Sequence, residues 1–202
     1  MEVDKPAFWD KIYRDGQSGW DLKGPNPVFM EILKNKEIIE PGNILIPGCG
    51  KGYDAIAAAK LGFTVRAVDF SQYAISFAKN LALKESVNVN FLNLDFFSLG
   101  TEFDLKFDVV YDYTSFCAIN PFRREEYIKK ISDLLKPGGK LLAHLFPVEN
   151  RKGGPPFGID IIETYKIFSK YLTLDFSSGN ISSIKSRKGK EVLQIYIKLD
   201  NR

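Results

Sequence analysis

Three short stretches carry residue types that could bind a cofactor. The first, NILIPGCGKGYD at 43–54, ends an apolar run with Gly48, Gly50 and Gly52 at every second position. Glycines let the backbone approach a ligand closely, and the helix that follows presents free amide groups. A tight strand-to-helix turn has the same pattern, so this loop indicates a ligand only together with other residues.

The second and third stretches each place a carboxylate at the end of a predicted strand. Asp69 lies nineteen residues after Gly50, where a carboxylate can accept hydrogen bonds from both hydroxyls of a ribose. Asp95 precedes Phe96 and Phe97, which offers an acceptor and a flat wall to an adenine ring. Either acid could instead be a helix cap or a loop carboxylate. Three successive strand ends with suitable groups predict that the chain binds an adenosine cofactor.

The glycine spacing distinguishes between adenosine cofactors. Dinucleotides usually meet a G-x-G-x-x-G loop, whose third glycine lets helix and strand pack closely. Here the spacing is G-x-G-x-G, and Lys51 with Tyr53 occupies the third-glycine region. This pattern favours S-adenosylmethionine, which has no phosphate.

Strand and helix patterns alternate around these residues, which predicts a mostly parallel sheet. Strands are predicted at NILIP, TVRAVD, SVNVNFLNLD, KFDVVYDY, PGGKLLAHLFP, LTLDFSS and EVLQIYIKL, the last two as an antiparallel hairpin. Core helices are predicted at AIAAAKLG, QYAISFAKNLALK, REEYIKKISDLLK and DIIETYKIFSKY. Ser71 should cap the second of these helices. Its apolar face should comprise Ala74, Phe77, Ala78 and Leu81.

The 202 residues, 45% of them apolar, suffice for one well-buried core and are too few for two comfortable domains. We therefore expect a single α/β domain with a Rossmann-like sheet of seven strands, helices on both faces and an N-terminal helical lid. Residues 1–40 would form the lid, with helices around AFWDKIYR and NPVFMEILKN, and residues 41–202 the core.

Composition argues against several other classes of protein. The start MEVDKPAFWDK lacks the apolar segment of a secretory signal, and no apolar run reaches the roughly 20 residues of a membrane helix. Two cysteines are too few for a disulfide framework, and the single histidine, His144, excludes a His-based metal centre. We expect a cytoplasmic monomer that binds no metal and no membrane, in which His144 is an ordinary strand residue.

A basic cluster precedes the last predicted strand at Lys185, Arg187, Lys188 and Lys190. No aromatic residues interleave it, so we interpret it as a solvated turn and expect no nucleic-acid partner.

Several motifs, taken in order, resemble one family. LIPGCGKGYDAIAAAKLGFTVRAVDFSQYAI, LDFFS, FDVVYDYTSFCAI, LLKPGGKLLAHLFP and GGPPF resemble the thiopurine S-methyltransferase superfamily, and more narrowly its thiol and halide methyltransferase branch. The similarity runs from Trp9 to about Tyr171, and the C-terminal hairpin resembles the end of the seven-stranded methyltransferase sheet. The resemblance implies methyl transfer from S-adenosylmethionine to a small sulfur or halide acceptor, with S-adenosylhomocysteine as product.

The resemblance implies roles for individual residues at the cofactor. An N-terminal aromatic segment closes over the cofactor in this family, although tryptophan is common where this chain has Tyr13; the aromatics four apart on one helix could equally be packing residues. Gly48 would lie in the methionine-contacting turn, Asp69 on the ribose, and Asp95 with Phe96 on the adenine. The full set of implied cofactor residues is Trp9, Tyr13, Trp20, Gly48, Gly50, Asp69, Ser71, Asp95, Phe96, Asp112 and Tyr113.

Asp112 and Tyr113 are also the candidate catalytic residues. No general base is required for iodide or hydrosulfide, whereas a thiol must first lose its proton. Asp112 could be that base or could orient the amino group of the cofactor. Cys117 is interpreted as a packing residue, because direct transfer needs no covalent intermediate.

The acceptor pocket is expected to be apolar and aromatic. Where the mammalian thiopurine enzymes have DRGAL, this chain has DYTSF at 112–116, so the arginine thought to assist thiopurines is absent. This departure favours a small acceptor in a pocket formed by Phe116, Phe157 and the N-terminal aromatics. Two alternatives remain open: a nicotinamide-dependent oxidoreductase, and a protein that binds S-adenosylmethionine without catalysis.

Overall fold

Strand and helix signals resolve into six α-helices and seven strands within residues 1–199, the part of the chain that this computed structural model describes. These elements fall into two compact units, Met1–Leu99 and a second that begins at Gly100. The predicted division into a lid of residues 1–40 and a core of residues 41–202, all within one domain, stays a prediction.

The first unit contains three parallel strands and four helices. The strands are β1 (Asn43–Pro47), β2 (Thr64–Asp69) and β3 (Asn90–Asn93), and β2 pairs with both of the others. The helices are α1 (Pro6–Arg14), α2 (Pro27–Lys34), α3 (Tyr53–Lys60) and α4 (Gln72–Lys84). Ile44 and Leu45 of β1 are fully buried, as expected for a strand covered on both faces.

The glycine loop between β1 and α3 turns through left-handed backbone conformations. Gly52 has φ +79°, and a Cβ there would lie 2.8 Å from the Cβ of Ala78 and 2.9 Å from the Phe91 ring. Only glycine therefore lets the loop pack this closely on α4 and β3. In a dinucleotide-binding loop counted from Gly48, the third glycine, which lets helix and strand pack closely, would be at position 53. In this chain Gly52, one residue earlier, allows the close packing.

Helix α4 begins as predicted but buries a different face. The Ser71 hydroxyl oxygen accepts the Ala74 N–H at 3.1 Å, which confirms the predicted cap. The predicted face is wrong in part, because Phe77 is 37% exposed and Leu81 is half-buried. The buried residues are Ala74, Ile75, Ala78 and Ala82. Small side chains let the helix approach the sheet closely, so the larger apolar residues lie at its border.

The second unit contains four strands and two helices. The strands are β4 (Phe107–Tyr113), β5 (Leu135–Leu145), β6 (Thr173–Ser178) and β7 (Val192–Ile197). The helices are α5 (Arg124–Leu134) and α6 (Ile161–Phe168). β4 and β5 are parallel, whereas β7 is antiparallel to both β5 and β6.

The hydrogen-bonded order of the seven strands is β3-β2-β1-β4-β5-β7-β6. This order confirms the predicted α/β class, with a mostly parallel Rossmann-like sheet of seven strands and an antiparallel hairpin at its end. Within residues 1–199, none of the helices has the length and apolar character that a membrane crossing requires.

Candidate active site

The carboxylate that ends β2 is held by the glycine loop. Asp69 Oδ2 accepts the Gly50 N–H and Oδ1 accepts the Ser71 N–H, each at 2.9 Å. Burial raises the pKa of Asp69 to about 6, although both N–H donors oppose the shift. The side chain is thereby fixed at the carboxyl end of its strand, where a ribose binds in sheets of this kind.

The three N-terminal aromatics predicted at the cofactor meet in one group, here called the aromatic cluster (Trp9, Tyr13 and Trp20). The Trp20 ring lies edge-on to the other two, with centroid distances of 5.6 Å to Trp9 and 5.7 Å to Tyr13. Trp20 Nε1 donates to the Tyr13 hydroxyl at 3.4 Å. The cluster therefore has both the packing and the polar contacts of an ordered element.

Tyr13 lies directly against the glycine loop. Gly50 has φ +52°, and a Cβ on it would lie 2.8 Å from the Tyr13 hydroxyl oxygen. The Tyr13 hydroxyl thus occupies the space that a side chain at Gly50 would take, and only glycine fits this contact. Elsewhere the glycine loop presents its backbone without side chains, which fits the close approach of a cofactor at this position. Gly48 also has a left-handed backbone, with φ +56°.

Three polar contacts that the sequence did not reveal fasten the N-terminal segment to this loop region and to α4. Asp10 Oδ1 accepts the Ser71 hydroxyl at 2.6 Å and the Tyr73 N–H at 3.1 Å, so α1 helps to cap α4. Lys51 Nζ lies 2.7 Å from Asp21 Oδ2, and both side chains are largely buried. Ser71 is fully buried, so its hydroxyl serves the start of α4, and its role at the cofactor stays a prediction.

Asp95 lies two residues beyond the end of β3, which is shorter than the sequence predicts. Its Oδ1 accepts the Phe97 N–H at 3.0 Å and caps a short 3-10 helix, Phe96–Ser98. The helix-cap alternative raised by the sequence is therefore correct for one carboxylate oxygen. Phe96 is buried and packs edge-on against Phe97 at 5.7 Å; contact of either residue with adenine stays a prediction.

Asp112, near the end of β4, holds the DYTSF turn. Its Oδ2 accepts the Tyr127 hydroxyl at 2.6 Å, and Oδ1 accepts the Phe116 N–H at 3.3 Å. Burial raises the pKa of Asp112 to about 6, opposed by the bonds from Tyr127, Phe116 and Ser115. The turn passes through a left-handed Thr114, with φ +67°. Sequence reasoning missed Tyr127, because an aromatic residue on an amphipathic helix is typical of a core position.

A set of four side chains adjoins the end of β4, here called the Tyr113 polar group (Tyr113, which is half-buried, and His144, Arg187 and Glu191, which are buried). The Tyr113 hydroxyl donates to Glu191 Oε1 at 2.8 Å and accepts a hydrogen bond from Arg187 Nη1. The His144 ring stacks on Tyr113 at 4.4 Å, and its Nε2 lies 3.5 Å from Glu191 Oε2. The Arg187 guanidinium lies 4.5 Å from the centre of the Phe146 ring.

The solvated-turn interpretation of the basic cluster is wrong for Arg187. That side chain is 4% exposed, whereas Lys185, Lys188 and Lys190 are exposed. Aromatic faces and a buried carboxylate offset the cost of removing a guanidinium from water. The only local signal was the opposite charge of Glu191 four residues later, which is weak outside a helix.

The charge states within the Tyr113 polar group follow from burial and hydrogen bonding. Burial raises the pKa of Tyr113, and Glu191 adds to the shift while Arg187 opposes it. Burial also raises the pKa of Glu191, but its interactions with His144, Ser183 and Tyr113 outweigh burial and bring the pKa below its usual value. At neutral pH the group therefore contains a neutral phenol beside a carboxylate.

The two predicted pocket residues of the second unit differ in their surroundings. Phe116 is only 2% exposed, and its ring lies 5.1 Å from Phe168 and 4.7 Å from the Arg124 guanidinium. The Phe157 N–H donates to the Cys117 carbonyl at 2.7 Å, which ties the GGPPF loop to the DYTSF turn. Cys117 is buried, as a packing residue should be. Contact of either phenylalanine with an acceptor stays a prediction.

Comparison with known proteins gives consistent matches over nearly the whole chain. The family model for thiopurine S-methyltransferase matches residues 4–195. A probable thiol methyltransferase 2 of Arabidopsis thaliana is 36% identical, over 96% of this chain and 85% of the relative. Thiocyanate methyltransferase 1 of Brassica oleracea is 31% identical, over 98% of this chain and 88% of the relative.

A solved structure gives the same fold at lower sequence identity. The 1,6-didemethyltoxoflavin-N1-methyltransferase of Burkholderia thailandensis, solved with S-adenosylhomocysteine, is 20% identical with a TM-score of 0.77. The match covers 96% of this chain and 87% of that chain.

Proposed function

The chain belongs to the thiopurine S-methyltransferase family, and we propose that it methylates a small sulfur or halide acceptor. It is an S-adenosylmethionine-dependent methyltransferase, and this cofactor, when bound, supplies an electrophilic methyl group on a sulfonium. Relatives named as thiol and thiocyanate methyltransferases, matched over 85% or more of their length, support the acceptor class.

For the cofactor, we propose that the methionine end lies against the glycine loop beside Tyr13 and that Asp69 receives the ribose hydroxyls. The support is geometric, because no side chain fits between Gly50 and Tyr13, so the loop presents bare backbone, and Asp69 is fixed by two backbone donors. The proposed cofactor set remains Trp9, Tyr13, Trp20, Gly48, Gly50, Asp69, Ser71, Asp95, Phe96, Asp112 and Tyr113.

The observation that carries the acceptor proposal is the buried guanidinium of Arg187 on the Tyr113 hydroxyl. The arginine that the family resemblance places in the DYTSF turn is absent, and Arg187 puts a positive charge beside Tyr113 from a different segment. The Glu191 carboxylate, 3.9 Å from Arg187 Nη1, balances this charge, so the arginine offers an anionic nucleophile such as iodide, thiocyanate or hydrosulfide a charged hydrogen-bond donor beside aromatic rings and not a net positive charge. Tyr113 would contact the acceptor, with Phe116 and Phe157 as the proposed apolar walls.

For the two predicted catalytic residues we propose different roles. Tyr113 touches the acceptor, because its hydroxyl is hydrogen-bonded within the polar group and its side chain is half-buried. Asp112 acts through its bonds to Tyr127 and the turn, which set the position of the segment that follows β4. The enzyme mainly has to align nucleophile and methyl group and to exclude water.

The test is a methyl-transfer assay with iodide, hydrosulfide, thiocyanate, an aromatic thiol and a thiopurine. We expect turnover of the small acceptors and weaker turnover of the thiopurine. Arg187→Gln should lower kcat/KM for the anionic acceptors at least tenfold, whereas the exposed neighbour Lys188→Gln should leave it unchanged. Inactivity on all five acceptors would refute the acceptor class.

Two further measurements address the remaining alternatives. S-Adenosylhomocysteine should raise the melting temperature and a nicotinamide nucleotide should not; the reverse result would favour an oxidoreductase. If the protein binds the cofactor but methylates none of the acceptors in a broad panel, a non-catalytic binding protein would be favoured. We also propose that the protein is cytoplasmic, which its two free cysteine thiols support. We further propose that it is a monomer, which light scattering tests.

A further inference from the structure

We propose that the Tyr113 polar group removes the proton of a neutral acceptor, so that the enzyme methylates protonated thiols as well as anions. The acceptor gives its proton to the Tyr113 hydroxyl oxygen while the Tyr113 proton moves to Glu191. This inference rests on the proposed function and adds the protonated form of thiols to its acceptors.

Tyr113 has the hydrogen-bond arrangement that such a transfer needs. Its O–H already points to Glu191 Oε1 at 2.8 Å, and Arg187 donates to the same phenolic oxygen. A phenolic oxygen acts as donor and acceptor together, so a second lone pair is available to an S–H group. The bond from Arg187 stabilises negative charge on this oxygen during the transfer.

Glu191 provides the end point for the proton. Its carboxylate is buried and faces Tyr113 from β4, His144 from β5 and Arg187, whose Nη1 lies 3.9 Å from Oε1. Oε1 already accepts the Tyr113 hydroxyl at 2.8 Å, so the proton passes along an existing hydrogen bond. Oε2 lies 3.5 Å from His144 Nε2.

The charge states of these groups require the two proton transfers to occur together. The raised pKa of Tyr113 keeps it from standing as a phenolate, and the lowered pKa of Glu191 keeps it charged before reaction. Proton transfer to Glu191 from a thiol that has not begun to attack the methyl group is unfavourable in free energy. It becomes favourable as the attacking sulfur bonds to carbon, because the S–H proton is then strongly acidic.

The step balances in atoms and electrons. An acceptor lone pair forms the new bond to the methyl carbon, and the electron pair of the breaking carbon–sulfonium bond returns to the leaving sulfur. The acceptor S–H pair stays on the acceptor sulfur, its proton forms the new Tyr113 O–H, and the former Tyr113 proton neutralises Glu191. Iodide and thiocyanate need no proton transfer, so Glu191 stays ionised when they react.

The experiment compares an alkyl thiol of pKa about 8.5 with iodide from about pH 6 to about pH 8. In the wild type we expect a thiol-to-iodide ratio of kcat/KM that changes little with pH. In Glu191→Gln only the thiolate reacts, so the ratio measured for this variant should rise about tenfold per pH unit. At pH 7 about 3% of such a thiol is ionised, so at this pH the ratio of the variant should be roughly thirtyfold lower than that of the wild type. Tyr113→Phe should behave likewise, and Glu149→Gln, which alters a partly exposed ion pair with Lys190, should not.

Binding and spectroscopy separate this role from a structural one. Glu191→Gln should bind S-adenosylhomocysteine with wild-type affinity. His144 is the single histidine, so its ring resonances are unambiguous, and they should shift in Glu191→Gln but not in Glu149→Gln. Unmoved resonances would show that Glu191 does not lie against His144 and would overturn the proposal.

The kinetic outcomes distinguish the two proposals. A wild-type ratio that already rises tenfold per pH unit, or a Glu191→Gln ratio equal to wild type, overturns the proton relay and leaves the methyltransferase assignment intact. Cofactor binding without turnover of any acceptor overturns the proposed acceptor class, and the relay with it.

Discussion

Replacing Gly50 with alanine should destabilise the protein through Tyr13 as well as through the backbone. The left-handed φ of +52° costs an L residue about 1–2 kcal/mol. The new Cβ would also lie 2.8 Å from the Tyr13 hydroxyl oxygen, and the next ring atom is 3.8 Å away. Overpacking of this kind adds about 1–3 kcal/mol, so we expect a total loss of about 2–5 kcal/mol.

A double-mutant cycle separates the two contributions. In Tyr13→Phe the clashing atom is gone and the remaining 3.8 Å contact is ordinary, so Gly50→Ala should there cost only about 1–2 kcal/mol. Gly62→Ala is the matched control, because Gly62 has φ +90° and its Cβ would meet only Pro41 at 3.8 Å. It should cost about 1–2 kcal/mol in both backgrounds.

Urea unfolding of all six proteins measures the free energies of unfolding. The expected coupling between Gly50→Ala and Tyr13→Phe is about 1 kcal/mol or more in the rescuing direction. A coupling near zero would show that Tyr13 does not lie against the glycine loop in solution. The proposed place of Tyr13 beside the glycine loop and the cofactor would then be refuted.

Two further predictions concern carboxylates that accept hydrogen bonds. Asp112 has a folded pKa of about 6 against about 3.9 unfolded, so its contribution to stability is present below pH 4 and lost as pH rises through 6. Relative to Asp112→Asn, the wild type should therefore lose about 2 kcal/mol of unfolding free energy between pH 4 and pH 7; a pH-independent difference would contradict this. Asp10→Ala removes the acceptor of the Ser71 hydroxyl and the Tyr73 N–H and should cost about 1–2 kcal/mol in urea unfolding. The exposed Asp15→Ala should change stability by less than about 0.5 kcal/mol, and equal effects of the two variants would argue against docking of α1 on α4.

Local patterns in the sequence were enough for the strands and most helices of this fold. The bounds Asn43–Pro47 and Thr64–Asp69 are predicted to the residue, because the first apolar run is followed by a glycine and the second ends at an acidic residue. Ser71 also signals the start of α4 from local sequence, because a helix cap acts within one turn. The buried face of α4 was not predictable, because which apolar residues face the sheet depends on the closeness of approach that the alanines allow.

The candidate site divides in the same way. Gly50 and Asp69 are recognisable from residue type and spacing, since one follows a predicted strand and the other ends one, whereas the aromatic cluster is found through the family resemblance. Arg187 and Glu191 are not, because their partner Tyr113 is more than 70 residues away along the chain. Only the fold of the C-terminal hairpin turns a basic segment inward against β4. Charge and hydrophobicity patterns describe a segment on its own, whereas burial of a charge depends on the partners that the tertiary structure brings to it.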